Sequence, residues 1–295
     1  MTLLTTLAPL IQINRKSKRG PKAKPKPIFV SRKIEVQYMT ALLAISQQCQ
    51  DAIDEDLLPV ITQRNIGDSA VLVNDGFLDL VKSAMNKVSD KITKAVDSIA
   101  LQIAQKIVAN QKESSDDQLS VVIYKQTGID LKGLLKDSEI KDALDEAISS
   151  NVALIKSIPV QYFGKIETIV FNGLQSGQRA SEIAEEIKKL GQSTDNRARL
   201  IAIDQMGKIN SRLSQVRQQS LGITHYTWVT SQDERVRHTH RARNGKLFAW
   251  DDPPSDGHPG IPIRCRCVAV PYTANLFDPD APSPEEVMKQ QVLPS

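Results

Sequence analysis

Ile223–Gly245 reads ITHYTWVTSQDERVRHTHRARNG, and the chain changes character where this stretch begins. Its first nine residues alternate β-prone Thr, Tyr, Trp and Val with others, which predicts a strand. Both tryptophans (Trp228, Trp250), all four histidines and two of the three cysteines fall between Gly222 and Tyr272. Phe248–Trp250 is a second short strand by the same criterion. Cys267–Tyr272 (CVAVPY) is a third, returning to pair with the first.

Upstream of this stretch the periodicity is helical. Ile34, Tyr38, Leu42, Ile45, Cys49, Ile53 and Leu57 recur every three or four residues and predict a helix over 34–58, ended or kinked by Pro59. Cys49 lies on that stripe and reads as a packed core thiol. From Phe77 to Asn110 the stripe Val81, Ala84, Val88, Ile92, Ala95, Ile99, Ile103, Ile107 predicts a helix roughly 50 Å long. The polar run QKESSDDQ (111–118) is expected to break it. Further helices are expected near 118–127, 138–157, 159–175 (opened by Pro159), 179–190 (closed by Gly191) and 195–221 (closed by Gly222). The fold class is α+β, a mainly helical N-terminal region with long helices and a small C-terminal domain of helices plus a few short antiparallel strands. The strands are expected to pack on the helix that ends at Gly222.

The formal charge of +4 is local in origin. Nine basic residues (Arg15, Lys16, Lys18, Arg19, Lys22, Lys24, Lys26, Arg32, Lys33) lie between positions 15 and 33 with no acid among them, so the remainder is net negative. Pro21, Pro25 and Pro27 punctuate this run, and repelling charges with fixed φ favour an extended chain. Two readings stand: a solvated linker, or an arm that lies on nucleic acid or an acidic protein, where counterion release favours binding. The domain plan is an extended basic arm over 1–33, a helical docking region over 34–150, a C-terminal domain over 151–275 and a Pro- and acid-rich peripheral tail over 276–295. No apolar run reaches the roughly 20 residues needed to span a bilayer, so no membrane partner is expected. The N-terminal apolar run precedes its basic run, the reverse of a secretory signal, and points to assembly in the cytoplasm. An odd cysteine count argues against a disulfide framework.

Trp228, Asp233, Arg237, His240, Gly245, Pro254, His258, Pro259, Cys265, Arg266 and Cys267 follow one another in an order that resembles the phage head morphogenesis family typified by the Mu F protein. In that family a Trp strand is followed by Asp, Arg and His three apart, a turn Gly, a Pro-rich loop with His, and Cys-Arg-Cys. RASEIAEEI and NRARLIAIDQMGKINSRL, leading into the Trp strand, fit as well. The resemblance covers roughly 155–272. It implies a minor capsid protein carried in several copies in the virion head near the portal. Its implied partners are the portal and the major capsid or scaffolding protein, with no established catalysis; double-stranded DNA is a partner expected of the basic arm.

The same residues carry chemistry of their own. Cys265 and Cys267 are two apart, so on an extended chain their side chains face one way and Arg266 faces the other. Arg264 and Arg266 favour thiolates. With His258 and His240 they compose a donor set suited to Zn²⁺ in a closed, tetrahedral structural site. The alternative is that the cysteines are reduced packing residues and His258 a loop hydrogen-bonder. Asp233 and Arg237 are expected to form an ion pair that fixes the turn after the Trp strand, with Trp228 in the small core beneath. Two competing functions remain. Asp233, His238, His240 and His258 with Arg235, Arg237, Arg241 and Arg243 could serve a metal-dependent hydrolase or nuclease delivered with the genome. The chain could equally be a DNA-binding accessory protein with the C-terminal cluster as scaffold.

Overall fold

The computed structural model describes residues 3–16, 25–62, 75–131, 133–277 and 280–291. Long helices precede a small antiparallel sheet, the α+β arrangement expected from the change of periodicity at Gly222. The helices are α1 (Leu3–Lys16), α2 (Arg32–Ala52, continued by a π-helical turn Ile53–Leu57), α3 (Leu58–Thr62), α4 (Asp75–Thr127), α5 (Lys141–Gln175) and α6 (Ala180–Ser220). After them come β1 (His225–Val229), α7 (His238–Arg243), β2 (Leu247–Ala249), β3 (Val268–Pro271), α8 (Ala274–Phe277) and α9 (Pro284–Lys289).

Three expected interruptions are absent. α4 runs straight through 111–118, because Gln111 and Ser115 continue the buried face that Leu119 and Val122 complete. α5 runs through Pro159, whose lost hydrogen bond is offset by the buried Ile155, Ile158, Tyr162 and Ile166 around it. α6 runs through Gly191, where a Cβ would come within 2.6 Å of the Gln50 side chain. Here glycine serves close packing rather than helix termination.

The N-terminal segment also differs from an arm extended over 1–33. Leu4, Leu7 and Ile11 recur at helical spacing, and α1 buries Leu4 and Ile11. Residues 25–31 have no regular secondary structure, but Ile28 is buried among Leu119, Val122, Ile123, Leu131, Leu221 and Ile223. Arg32 and Lys33 open α2, where Arg32 pairs with Glu35. Lys16, Lys26 and Lys33 are exposed. Arg15 lies in α1, and Lys18, Arg19, Lys22 and Lys24 lie outside the described residues.

The chain divides into two compact units: residues 1–35, 108–147 and 203–295, and residues 36–107 and 148–202. These do not follow boundaries at 33/34, 150/151 and 275/276, because α4, α5 and α6 each supply residues to both. In the unit of residues 36–107 and 148–202, helical where described, Tyr38 donates to Asn151 (2.7 Å) and Ser46 to Asp195 (2.7 Å), polar ties among the apolar stripes. In the other unit Asn210 of α6 is a buried hub. It donates to the Ile28 carbonyl (3.1 Å) and accepts from Gln111 of α4 (3.1 Å), fixing the segment at 25–31. Arg217, 1% exposed, grips both oxygens of Asp116 (2.8 and 2.9 Å) and donates to the Lys136 carbonyl (2.7 Å).

α6 ends at Ser220, and Gly222 takes φ +89° so that Ile223 N–H returns to the Gln218 carbonyl (2.8 Å). That reversal launches β1 into the middle of the sheet, whose order is β2-β1-β3. Tyr226 lies opposite Phe248, and Trp228 opposite Ala269. Gln218 of α6 receives the Trp250 indole N–H (3.2 Å) and donates to the Ala269 carbonyl (3.4 Å), tying sheet to helix. The tail is not wholly peripheral. Ser283 and Glu286 form a capping box for α9, with Pro284 at its first position, and Gln291 accepts the Leu247 N–H (2.9 Å).

Candidate metal centre

Alternation along β1 sends Tyr226 and Trp228 to one buried face, where Phe248, Trp250, Cys265, Cys267 and Ala269 complete a small core. Trp228 is fully buried there, as its place in the sequence predicts. Gly245, at φ +79°, makes the turn from α7 into β2 and donates its N–H to the Trp228 carbonyl (2.8 Å).

α7 carries His240 inward, 2% exposed, edge-on to the Trp228 ring at 5.1 Å. The other side comes from a tight turn in which Cys265 N–H bonds the Pro262 carbonyl (2.8 Å) and Arg264 is held at φ +58°. A non-glycine residue in that region is strained, and such strain gathers at ligand clamps. Cys265 and Cys267 then face the same way. Their sulfurs each lie 3.5 Å from His240 Nδ1, and the three donor atoms lie within 4.8 Å of one another. Arg266, between them, points outward and forms a two-pronged pair with Asp233 (2.7 and 2.8 Å). Arg237, expected to pair with Asp233, instead donates to the Ile263 carbonyl (2.6 Å). The Asp233 pairing thus ties the post-β1 turn to the cysteine segment rather than to itself.

The donor chemistry fits a soft divalent ion. With metal–sulfur and metal–nitrogen distances of about 2.3 and 2.0–2.1 Å at a tetrahedral angle, N and S ligands sit about 3.5–3.6 Å apart. Both contacts here are 3.5 Å. A neutral imidazole nitrogen has one lone pair, so a hydrogen bond accounts for one contact, whereas an ion shared by all three atoms accounts for both. A hydrogen bond from the Cys267 thiol, with burial opposing and the Gly260 N–H (3.4 Å) assisting, pulls Cys265 down to about 6. The same hydrogen bond and burial push Cys267 up. The buried Trp228 indole N–H has no oxygen or nitrogen acceptor and favours the Cys267 thiolate. A groove of about 220 Å³, lined by Phe29, Gly207, Asn210 and Ser231 among others, runs beside the Cys265–Cys267 segment.

His258 does not join the trio. Its Nδ1 meets the Tyr226 hydroxyl at 3.0 Å, it hydrogen-bonds the Trp250 backbone, and its ring lies 4.8 Å from the Trp250 ring. Burial holds its pKa below the ordinary value, so it is a neutral prop of the aromatic core. Sequence reasoning missed Asp256, which accepts from His240 Nε2 (3.0 Å) and Arg243 (2.5 Å). The available signal was Arg243 three residues after His240, on the same face of one helix. His238, Arg235 and Arg241 are exposed and apart from the trio.

Long helices leading into a small sheet stapled by a buried His-Cys-Cys cluster define an α+β protein with one candidate metal centre among the described residues. Residues 164–270 match the family described as "Phage Mu protein F like protein", and this part of the chain is Mu F-like. Residues 164–202 of the match lie in the unit of residues 36–107 and 148–202, and 203–270 in the unit that holds the sheet. The chain is also 33% identical over 263 residues to a protein of Haemophilus influenzae (strain ATCC 51907 / DSM 11121 / KW20 / Rd) described only as uncharacterized. That alignment takes in 88% of this chain and 58% of the relative, so the chain spans under two thirds of the relative's length. No solved structure matches the chain. No helix among the described residues is long and apolar enough to cross a membrane.

Proposed function

We propose that this protein is a structural minor capsid component in the head morphogenesis of a tailed bacteriophage. It acts in several copies in the head interior near the portal, with portal, capsid or scaffolding protein as partner. The observation that carries this reading is the Mu F-like match over 164–270, which spans the Trp strand, His240 and the Cys-Arg-Cys segment. Within it, one Zn²⁺ held by His240, Cys265 and Cys267 pins a loop-rich segment whose own apolar core is small.

Co-purification with a portal ring at moderate salt is the expected result. A chain that ignores portal, capsid and scaffold alike would overturn the assembly role. Elemental analysis should find about one zinc per chain, lost in Cys265→Ser/Cys267→Ser. A well-folded, metal-free wild type would refute the zinc reading. The basic run at 15–33 is proposed to contact packaged DNA. Each engaged cation then adds about 0.9 to the slope of log K against log salt. Because Leu4, Ile11 and Ile28 belong to the core, the test is Lys→Gln or Arg→Gln at 18, 19, 22 and 24 rather than removal of 1–33.

One observation favours a second reading. Three protein ligands, rather than four, is the count of zinc sites that keep a position open for chemistry. Zinc-dependent loss of DNA integrity in vitro, abolished by Cys265→Ser, would favour the hydrolase.

A further inference from the structure

Resting on the zinc reading above, we infer that Asp256, anchored by Arg243, is the positioning residue that fixes His240 as an Nδ1 donor. An ionised carboxylate only accepts hydrogen bonds, so the 3.0 Å contact with Asp256 Oδ2 places the imidazole hydrogen on Nε2. The lone pair is thereby left on Nδ1, the nitrogen that faces both sulfurs. Turning the ring over would put Cδ2 and Cε1 where Nδ1 and Nε2 now lie and forfeit both sets of contacts. The carboxylate is itself constrained. Its other oxygen receives Arg243, and that guanidinium lies over the Trp228 ring at 5.1 Å. The chain of contact therefore runs Trp228, Arg243, Asp256, His240, sulfurs. Trp228 enters it twice, because its ring also meets the imidazole.

A simple surface ion pair would need only Arg243 and Asp256. Using the second oxygen on a buried histidine is the arrangement by which outer groups orient a metal ligand and raise its basicity. The Arg243 guanidinium, 2.5 Å from the other Asp256 oxygen, sets an opposite charge beside the carboxylate that accepts from His240.

The test uses the full chain, wild type, Asp256→Asn and Asp256→Ala, with Zn²⁺ alone as probe. Affinity is read by competition with a chelator, the imidazole ¹⁵N shifts of His240 report which nitrogen carries metal and which carries hydrogen, and tryptophan emission checks folding. We expect metal on Nδ1 and hydrogen on Nε2 in the wild type, and about 10–100-fold weaker zinc in Asp256→Ala. Asp256→Asn should recover part of the loss, because its amide oxygen still accepts from Nε2; being isosteric, it also carries the test if the alanine variant does not fold. A wild type that takes up one zinc while Asp256→Ala binds within twofold of it would overturn the inference and leave the zinc site standing. Metal on Nε2 would do the same. A wild type that binds no zinc at all would overturn both.

Discussion

Arg217 offers the sharpest test of how the sheet-bearing unit is held together. Its side chain is 1% exposed, while Asp116 is 18% exposed and also lies 3.4 Å from Lys112. Removing one partner of a buried pair costs about 3–5 kcal/mol, mostly for the charge left behind. Arg217→Met leaves a carboxylate that touches solvent and keeps Lys112, which places the cost near the lower bound, about 3 kcal/mol. Asp116→Ala leaves a sealed guanidinium with the Lys136 carbonyl and the more distant Asp137 (3.3 Å), which places it near the upper bound, about 5 kcal/mol. The pair replaced together, Arg217→Met/Asp116→Leu, should cost less than either alone. Both tryptophans lie in this unit, so their emission during urea unfolding reports on it. With a slope of about 2 kcal/mol per molar, Arg217→Met lowers the midpoint by roughly 1.5 M. A shift below about 0.3 M, or Arg217→Met proving the worse single change, would refute the reasoning.

Three further outcomes are expected. Gly260→Ala should destabilise by about 1–3 kcal/mol, since φ is +92° and a Cβ would sit 2.9 Å from the Gly207 carbonyl oxygen; thermal melting checks it. Asn210→Ala removes two buried hydrogen bonds and should cost about 2 kcal/mol by urea titration, with faster hydrogen exchange over 25–31 as the local sign. For His258, burial lowers the folded value, so the unfolded chain, titrating near about 6.5, gains its proton first as pH falls. The stability that His258 contributes is therefore full above about pH 6.5 and declines below it until the folded value is passed. The stability advantage of wild type over His258→Gln should grow between about pH 5.5 and 7.5, and an advantage that shrinks with rising pH would contradict this.

The apolar stripes gave away the helices, and the period-two run around Trp228 gave away the sheet. What the sequence concealed was polar residues with inward partners. QKESSDDQ reads as a loop by composition, yet Gln111 meets Asn210 and Asp116 meets Arg217, both across about 100 residues. A local reading has no access to such partners. The candidate site divides in the same way. The side-by-side cysteines follow from strand periodicity, and His240 was chosen on chemical type. Between His258 and Asp256 the choice depended on which way one Pro-Gly-rich turn faces. The histidine went to the aromatic core and the acid to the imidazole.

The hydrophobic cluster that joins Leu4, Ile11 and Ile28 to Leu119, Ile123, Leu221 and Ile223 has a consequence for how the chain is made. Nearly 200 residues separate Ile28 from Ile223, and ribosomes add about 5–20 residues per second. The first apolar segment therefore spends roughly 10–40 s outside the tunnel before its last packing partners emerge. Over that interval α1 and the stretch at 25–31 are open to whatever holds nascent chains, so chaperones that bind exposed apolar segments have their window here.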